Sequence, residues 1–208
     1  MTRVGTLVTR LDAALPWATA TTHASPATVW CADVAARAED DPLAGWRRAL
    51  EQQGYPGFPH VAAAFVLQWW CEAVATPIAY AAELASVVIA ESGAGLGFEL
   101  APGCYPQRYV IDPASVSVAE VEREDECRGR GRAAYLSLVS DVVRDFAPEV
   151  KASTRQRWGL VEDVWATAVA RAQGRPDPRR VSCCFIYALP GMHACSVCPR
   201  GGPAHSAV

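Results

Sequence analysis

Apolar positions recur at helical spacing over most of this chain and alternate strictly only between about residues 95 and 120. Ser25 with Pro26, and then Asp41 with Pro42, are successive helix-start signals, the second opening a helix over Leu43 to Gln53 that Gly54 closes. Residues 60–75 are apolar almost all round, with only Gln68 and Glu72 marking a narrow polar stripe, which predicts a central, enclosed helix. Thr76-Pro77 predicts a fresh helix start, with Ile78, Ala81, Ala82, Ala85 and Val88 along one side. At Gly93 the period changes. Leu96, Phe98 and Leu100 alternate with Gly97 and Glu99, Pro102-Gly103 marks a turn, and Arg108 to Asp112 returns as a second strand. A small antiparallel sheet of two to four strands is expected, extended by Ser115 to Glu120. The charged stretch 120–132 reads as a solvated turn or helix start. Helical period then resumes: Tyr135, Leu138, Val142 and Phe146 share one face, as do Trp158, Val161, Trp165, Ala168 and Ala172 behind a Ser153/Gln156 capping box. The pattern predicts an α+β fold, predominantly helical, with an irregular cysteine-rich C-terminal segment. The division expected is a mainly helical domain over 1–174 and a segment over 175–208 packed on it.

Composition narrows the class. The 208 residues suffice for one substantial core, and 51% hydrophobic with 20% charged residues is ordinary for a soluble globular protein. A net charge of -3 and a single lysine, Lys151, argue against a nucleic-acid partner. The N-terminal residues lack the basic, apolar and small-residue regions of a secretory signal. The most apolar stretch, 61–90, is interrupted by Gln68, Glu72, Pro77 and Glu83, so no integral membrane segment is expected. A cytoplasmic location follows as the expectation, and in a reducing compartment cysteines read as thiols or metal ligands.

The chemistry sits at the C-terminus. Of eight cysteines, Cys31, Cys71, Cys104 and Cys127 are scattered singly, whereas Cys183, Cys184, Cys195 and Cys198 form Cys-Cys-x10-Cys-x2-Cys. Four thiolates can hold zinc, an iron-sulfur cluster or two disulfides. The vicinal pair departs from the usual paired zinc spacing, and the run matches neither ferredoxin pattern. Spacing by itself specifies a metal or redox site.

The segment from Arg179-Arg180 through Ser182-Cys183-Cys184, Tyr187, Leu189-Pro190-Gly191 and Cys195-Ser-Val-Cys198-Pro199 resembles the C-terminal signature of the FhuF-type ferric siderophore reductases. Ser153 through Trp158-Gly159 resembles that family's Ser-x-x-x-x-Trp-Gly segment, so the likeness covers roughly residues 150–200 well and the rest loosely. Met192-His193-Ala194 stands where the family commonly carries a Gly-rich stretch. The resemblance implies a 2Fe-2S cluster held by Cys183, Cys184, Cys195 and Cys198, with a ferric siderophore as substrate and no catalytic residue separate from the cluster. Reduction releases iron because the hard oxygen ligands of a siderophore hold the ferrous ion weakly.

The Gly93-Ala-Gly95-Leu-Gly97 run follows a helix and precedes a strand, the reverse of a dinucleotide loop, and no Walker sequence is present. No resident nucleotide or flavin site is expected. Electrons must come from an external donor: a reduced flavin, a ferredoxin or a reductase. His193 is expected as an exposed loop residue, His60 at a helix start or in the core, and His23 and His205 in polar tails. Trp69, Trp70, Trp158 and Trp165 read as core. Arg179 and Arg180 read equally as a solvated pair or as counter-charges to a cluster. Two other classes fit the same cysteines: a non-catalytic iron-sulfur carrier or sensor, and a structural zinc module.

Overall fold

The computed structural model describes residues 2–200 and, among these, sets six α-helices around two small sheets. Helix α1 (Arg3–Ala14) starts where the Thr2 hydroxyl accepts the Gly5 N–H at 3.2 Å, and buries Val4, Leu7, Val8 and Leu11 as one stripe. Strand β1 (Thr19–Thr21) follows. No helix begins at Ser25: residues 25–28 make a turn in which the Thr28 N–H donates to the Ser25 carbonyl, while both hydroxyls donate to Glu99. The side chain that would cap a helix is engaged by the sheet instead. The chain runs on through β2 (Val29–Trp30), a short α2 (Cys31–Ala36) and α3 (Ala44–Gly54), the last close to the predicted span.

Helix α4 (Pro59–Ala85) is the predicted central helix, but it does not restart at Thr76. Pro77 lies inside it. An interior proline costs ~3 kcal/mol through its missing N–H and its clash with the preceding turn. A break there would expose Ile78, Ala79, Tyr80 and Ala81, all nearly inaccessible. Each large apolar side chain among them contributes ~1.5–3 kcal/mol on burial, so enclosure outweighs the proline. The helix is long and apolar enough to cross a bilayer by composition, and 78% of its most apolar window is buried within the protein, against α1, α3, α5 and α6. It ends at Ser86, in the left-handed region at φ 52°, whose N–H reaches the Ala81 carbonyl.

Strands β3 (Val87–Ile89), β4 (Leu96–Leu100), β5 (Pro106–Ile111) and β6 (Val118–Glu120) complete the β structure. The hairpin β4–β5 stands as expected, with Phe98 opposite Tyr109. Two features differ from a single antiparallel sheet. The four-stranded sheet has the order β1-β5-β4-β2 with β1 parallel to β5, and β6 leaves the hairpin to pair with β3. Gly95 makes the second pairing possible: at φ 75° it lies so close to the next turn that a Cβ would stand 2.4 Å from the Val116 nitrogen.

Helix α5 (Glu124–Asp145) carries three acidic residues in its first turn and Arg144 in its last, matching the helix dipole. Helix α6 (Thr154–Ala172) begins at the predicted cap, the Ser153 hydroxyl accepting the Gln156 N–H at 3.2 Å. Tyr135 stacks on Trp165 at 5.3 Å and donates its hydroxyl to the Val161 carbonyl, fixing α5 against α6. Trp70 and Trp165 are core residues, and Trp69 and Trp158 pack against the core half-buried.

Candidate metal centre

The tail is held on α6 by a short series of polar contacts. After Gly174 (φ 65°), Arg171 grips Asp177 through two hydrogen bonds of 2.8 and 2.7 Å, turning the chain back along the helix. Asp163, only 7% exposed, accepts the backbone N–H groups of Val181 and Ser182, each at 2.8 Å. The Ser182 hydroxyl donates to the Gln156 carbonyl at 3.1 Å, and the Gln156 amide reaches the Cys183 carbonyl at 3.5 Å. Gly159 lies directly beneath: a Cβ there would stand 1.9 Å from Ser182 Oγ. The Ser-x-x-x-x-Trp-Gly segment therefore has a physical reading. Ser153 starts the helix and Gly159 is the seat on which the tail rests.

Beyond Ser182 the backbone leaves extended geometry, as two adjacent cysteines serving one site require. Phe185 takes φ 62°, a 3-10 turn covers Ile186–Ala188, and Leu189-Pro190-Gly191-Met192 forms a turn closed by the Met192 N–H on the Leu189 carbonyl. Gly191 at φ 74° is the left-handed position of that turn. The return is tied by the Arg180 N–H on the Val197 carbonyl and the Cys198 N–H on the Cys195 carbonyl, both 3.0 Å.

This path brings the terminal cysteines into mutual electrostatic range. Cys184 and Cys198 are buried, Cys183 and Cys195 half-buried. Cys183 Sγ accepts the Phe185 N–H at 3.3 Å and is hydrogen-bonded to Cys198. Burial pushes the Cys183 thiol above its ordinary pKa, and the sulfurs of Cys198 and Cys184 add to that. Burial likewise raises Cys195, followed by Cys184 and Cys198, against a lowering from Arg180. Four thiolates this close repel one another without a cation among them. Among the described residues no three His, Cys, Asp or Glu side chains gather at one ion-sized point. The sulfur of Cys183 contacts Cys198 and also feels Cys184, Cys195 feels both Cys184 and Cys198, and Cys184 and Cys195 line one cavity, so the four thiols form one interacting set of soft donors.

The cavity, about 310 Å³, lies between the tail, α4 and α6. From α4 it receives Gln68, Glu72 and Thr76, so the polar stripe faces this space. Phe65 and Tyr80 flank that stripe, Val164, Thr167 and Ala168 face it from α6, and the 36% exposed Trp17 also lines it, with the Arg171 guanidinium 4.9 Å from its ring centroid. Burial pushes the Glu72 carboxyl above the usual range, with Arg171 opposing. Arg180 is not a solvated residue: its side chain is 11% exposed, its Nε lies 3.6 Å from Asp163, and Nε and Nη2 have no hydrogen-bond partner. Gln68 Oε1 is also buried without one.

His193 is exposed, and His60 sits at the start of α4 with its ring edge-on to Phe185 at 5.6 Å. His205 lies outside the described residues. The singleton cysteines occur on other elements as buried groups, and burial raises the thiols of Cys31 and Cys71 to about 12. Asp163 and the cavity-facing role of Gln68 and Glu72 escape sequence reasoning. Their available signal is polarity within otherwise apolar helical faces.

What fold and site define is an α+β protein whose helical body presents a four-cysteine redox segment at its surface. Residues 180–200 match the family model of the FhuF 2Fe-2S C-terminal domain. This segment is similar to the FhuF type, and the match indicates a 2Fe-2S cluster as its cofactor. No curated protein and no solved structure matches the chain.

Proposed function

We propose that this protein is a cytoplasmic ferric siderophore reductase whose cluster is held by Cys183, Cys184, Cys195 and Cys198. The observation that carries the reading is the FhuF-type match over the segment that contains these four cysteines, whose side chains interact electrostatically. When bound, the cluster supplies a one-electron redox centre close to the protein surface. The chain's own residues hold and shield it. Cys184 and Cys198 lie inside, the half-buried Cys183 and Cys195 leave an edge for electron entry and exit, and Asp163 with Gly159 fixes the segment on α6. A ferric siderophore already fills its metal's coordination sphere, so the protein needs no acid, base or nucleophile of its own.

The test is anaerobic rapid mixing of dithionite-reduced protein, freed of excess reductant, with a ferric hydroxamate siderophore and a ferrous chelator. The oxidised visible spectrum should return as ferrous iron appears. Protein that stays reduced against several ferric siderophores belongs to the carrier or sensor class.

A further inference from the structure

Resting on that reading, the geometry points to an electron-donor site: we propose that the cavity between α4, α6 and the tail binds the isoalloxazine ring of a free reduced flavin. Its volume, about 310 Å³, is at the lower end of the ~300–1,000 Å³ typical of ligand pockets. That suits one flat ring system better than a ferric tris-chelate, whose arms surround the metal on every side. Cys184 and Cys195 both line it, so an occupant is brought against the redox segment itself.

The unpaired groups specify the ligand's edge. Arg180 lines the cavity with Nη2 lacking a hydrogen-bond partner and Nε facing only the Asp163 carboxylate at 3.6 Å, and Gln68 lines it with Oε1 lacking a partner. Buried polar atoms are nearly always hydrogen-bonded, so a ligand with both acceptors and a donor is indicated. A simple anion would satisfy the arginine and leave the glutamine. The pyrimidine edge of an isoalloxazine presents carbonyl oxygens and the anionic N1 of the hydroquinone beside the N3–H donor. Phe65, Tyr80 and Trp17 supply aromatic surface. Nicotinamide offers a similar amide edge but delivers hydride, whereas flavins also engage in one-electron chemistry. Overall, one anionic flavin hydroquinone is oxidised to flavin, its N5 proton passes to solvent, and two protein molecules in succession each accept one electron. Because the site is assembled from three separate stretches of chain, no contiguous nucleotide fingerprint marks it.

Two measurements test this on the purified cluster-containing protein. Titration of riboflavin with oxidised protein should quench its fluorescence saturably. Anaerobic reduction by photoreduced lumiflavin should saturate with lumiflavin concentration. Gln68→Leu should weaken both by about tenfold, the scale of one buried hydrogen bond. Thr167→Phe, placing a ring into the cavity from α6, should abolish saturation. Iron and sulfide content and dithionite reduction should be unchanged in every variant compared. Rates linear in lumiflavin and insensitive to Thr167→Phe in cluster-replete protein would overturn the proposal, as would displacement of riboflavin by ferric siderophore. Either result leaves the reductase reading standing if dithionite-reduced protein still reduces siderophore; loss of that reaction alone counts against the reductase reading.

Discussion

Asp163→Ala should release the redox segment from the helical body without unfolding that body. The side chain lies on α6 and all its described contacts go to the tail: N–H bonds from Val181 and Ser182 at 2.8 Å, and the Arg180 guanidinium at 3.6 Å. Hydrogen bonds to a charged group contribute ~1.5–3 kcal/mol each. Removing one partner from a buried charged arrangement costs ~3–5 kcal/mol, since the Ser182 N–H and Arg180 remain buried and uncompensated. At about 1.4 kcal/mol per decade, the docked state becomes roughly a hundredfold to several thousandfold less favoured. Transfer of cluster iron to a chelator, followed by loss of visible absorbance, should accelerate by at least about a hundredfold where it proceeds through that opening. Far-UV circular dichroism should keep its helical signal, because α4 also packs on α5 and the core residues of α6, Leu160, Val161 and Trp165 among them, are unchanged. Asp163→Asn retains one acceptor and should fall between the two. Wild-type chelator resistance in a fully helical Asp163→Ala protein would refute the anchoring role.

Gly159→Ala places a methyl 1.9 Å from Ser182 Oγ and should also speed chelator release; overpacking of ~1–3 kcal/mol exceeds or offsets the ~1 kcal/mol gain in helix propensity, and adding Ser182→Ala should restore much of the resistance. Replacing Cys183, Cys184, Cys195 or Cys198 by Ser should remove or strongly alter the visible spectrum, whereas Cys127→Ala should retain full iron and sulfide content by chemical assay. Burial raises the Glu83 carboxyl, but hydrogen bonds from Arg128 and Gln173 outweigh it and hold the folded-state pKa below the ordinary 4.5. A carboxyl depressed on folding adds stability that is present above its unfolded pKa and lost as pH falls through the folded value, so Glu83→Gln should flatten the fall in urea midpoint between about pH 5 and pH 3. Gln68→Leu should raise the urea midpoint of the ligand-free protein, since it removes a buried acceptor without a partner, worth ~1–3 kcal/mol.

The parts of this molecule readable from sequence are those where one physical demand dominates. Tyr135, Leu138, Val142 and Phe146, and the Ser153 cap of α6, follow from one-sided burial and local hydrogen bonding, which leave a periodic trace. Helix α1, whose buried stripe is Val4, Leu7, Val8 and Leu11, is not among the elements predicted from the sequence. Other features depend on distant partners. Pro77 reads locally as a start and is overridden by enclosure of α4; Ser25 reads as a cap and is claimed by Glu99. The parallel pairing of β1 with β5 has no local signature in three residues. At the site, the cysteine spacing is visible in the chain, but Asp163 and Arg180 depend on how the tail crosses α6.

The junction between body and tail is also where the fold departs furthest from what stability alone would select. Gln68 and Arg180 each leave buried polar atoms unpaired, at a cost of ~1–3 kcal/mol for an unsatisfied group, and burial raises the Glu72 carboxyl. Apolar side chains at these positions would close the gap and pack α4 against α6. The polar atoms instead surround a cavity that reaches Cys184 and Cys195, while the buried singleton cysteines elsewhere leave the core apolar. Local rules of folding are broken where chemistry requires it. Asp163, Gly159 and Ser182 fix the redox segment on one side of α6, and the stripe on α4 keeps open the space beside it. In the function proposed, the first arrangement sets retention of the cluster and the second access to it; Asp163 lines the cavity and pairs with Arg180 and so serves both, whereas Gly159 and Gln68 each belong to one.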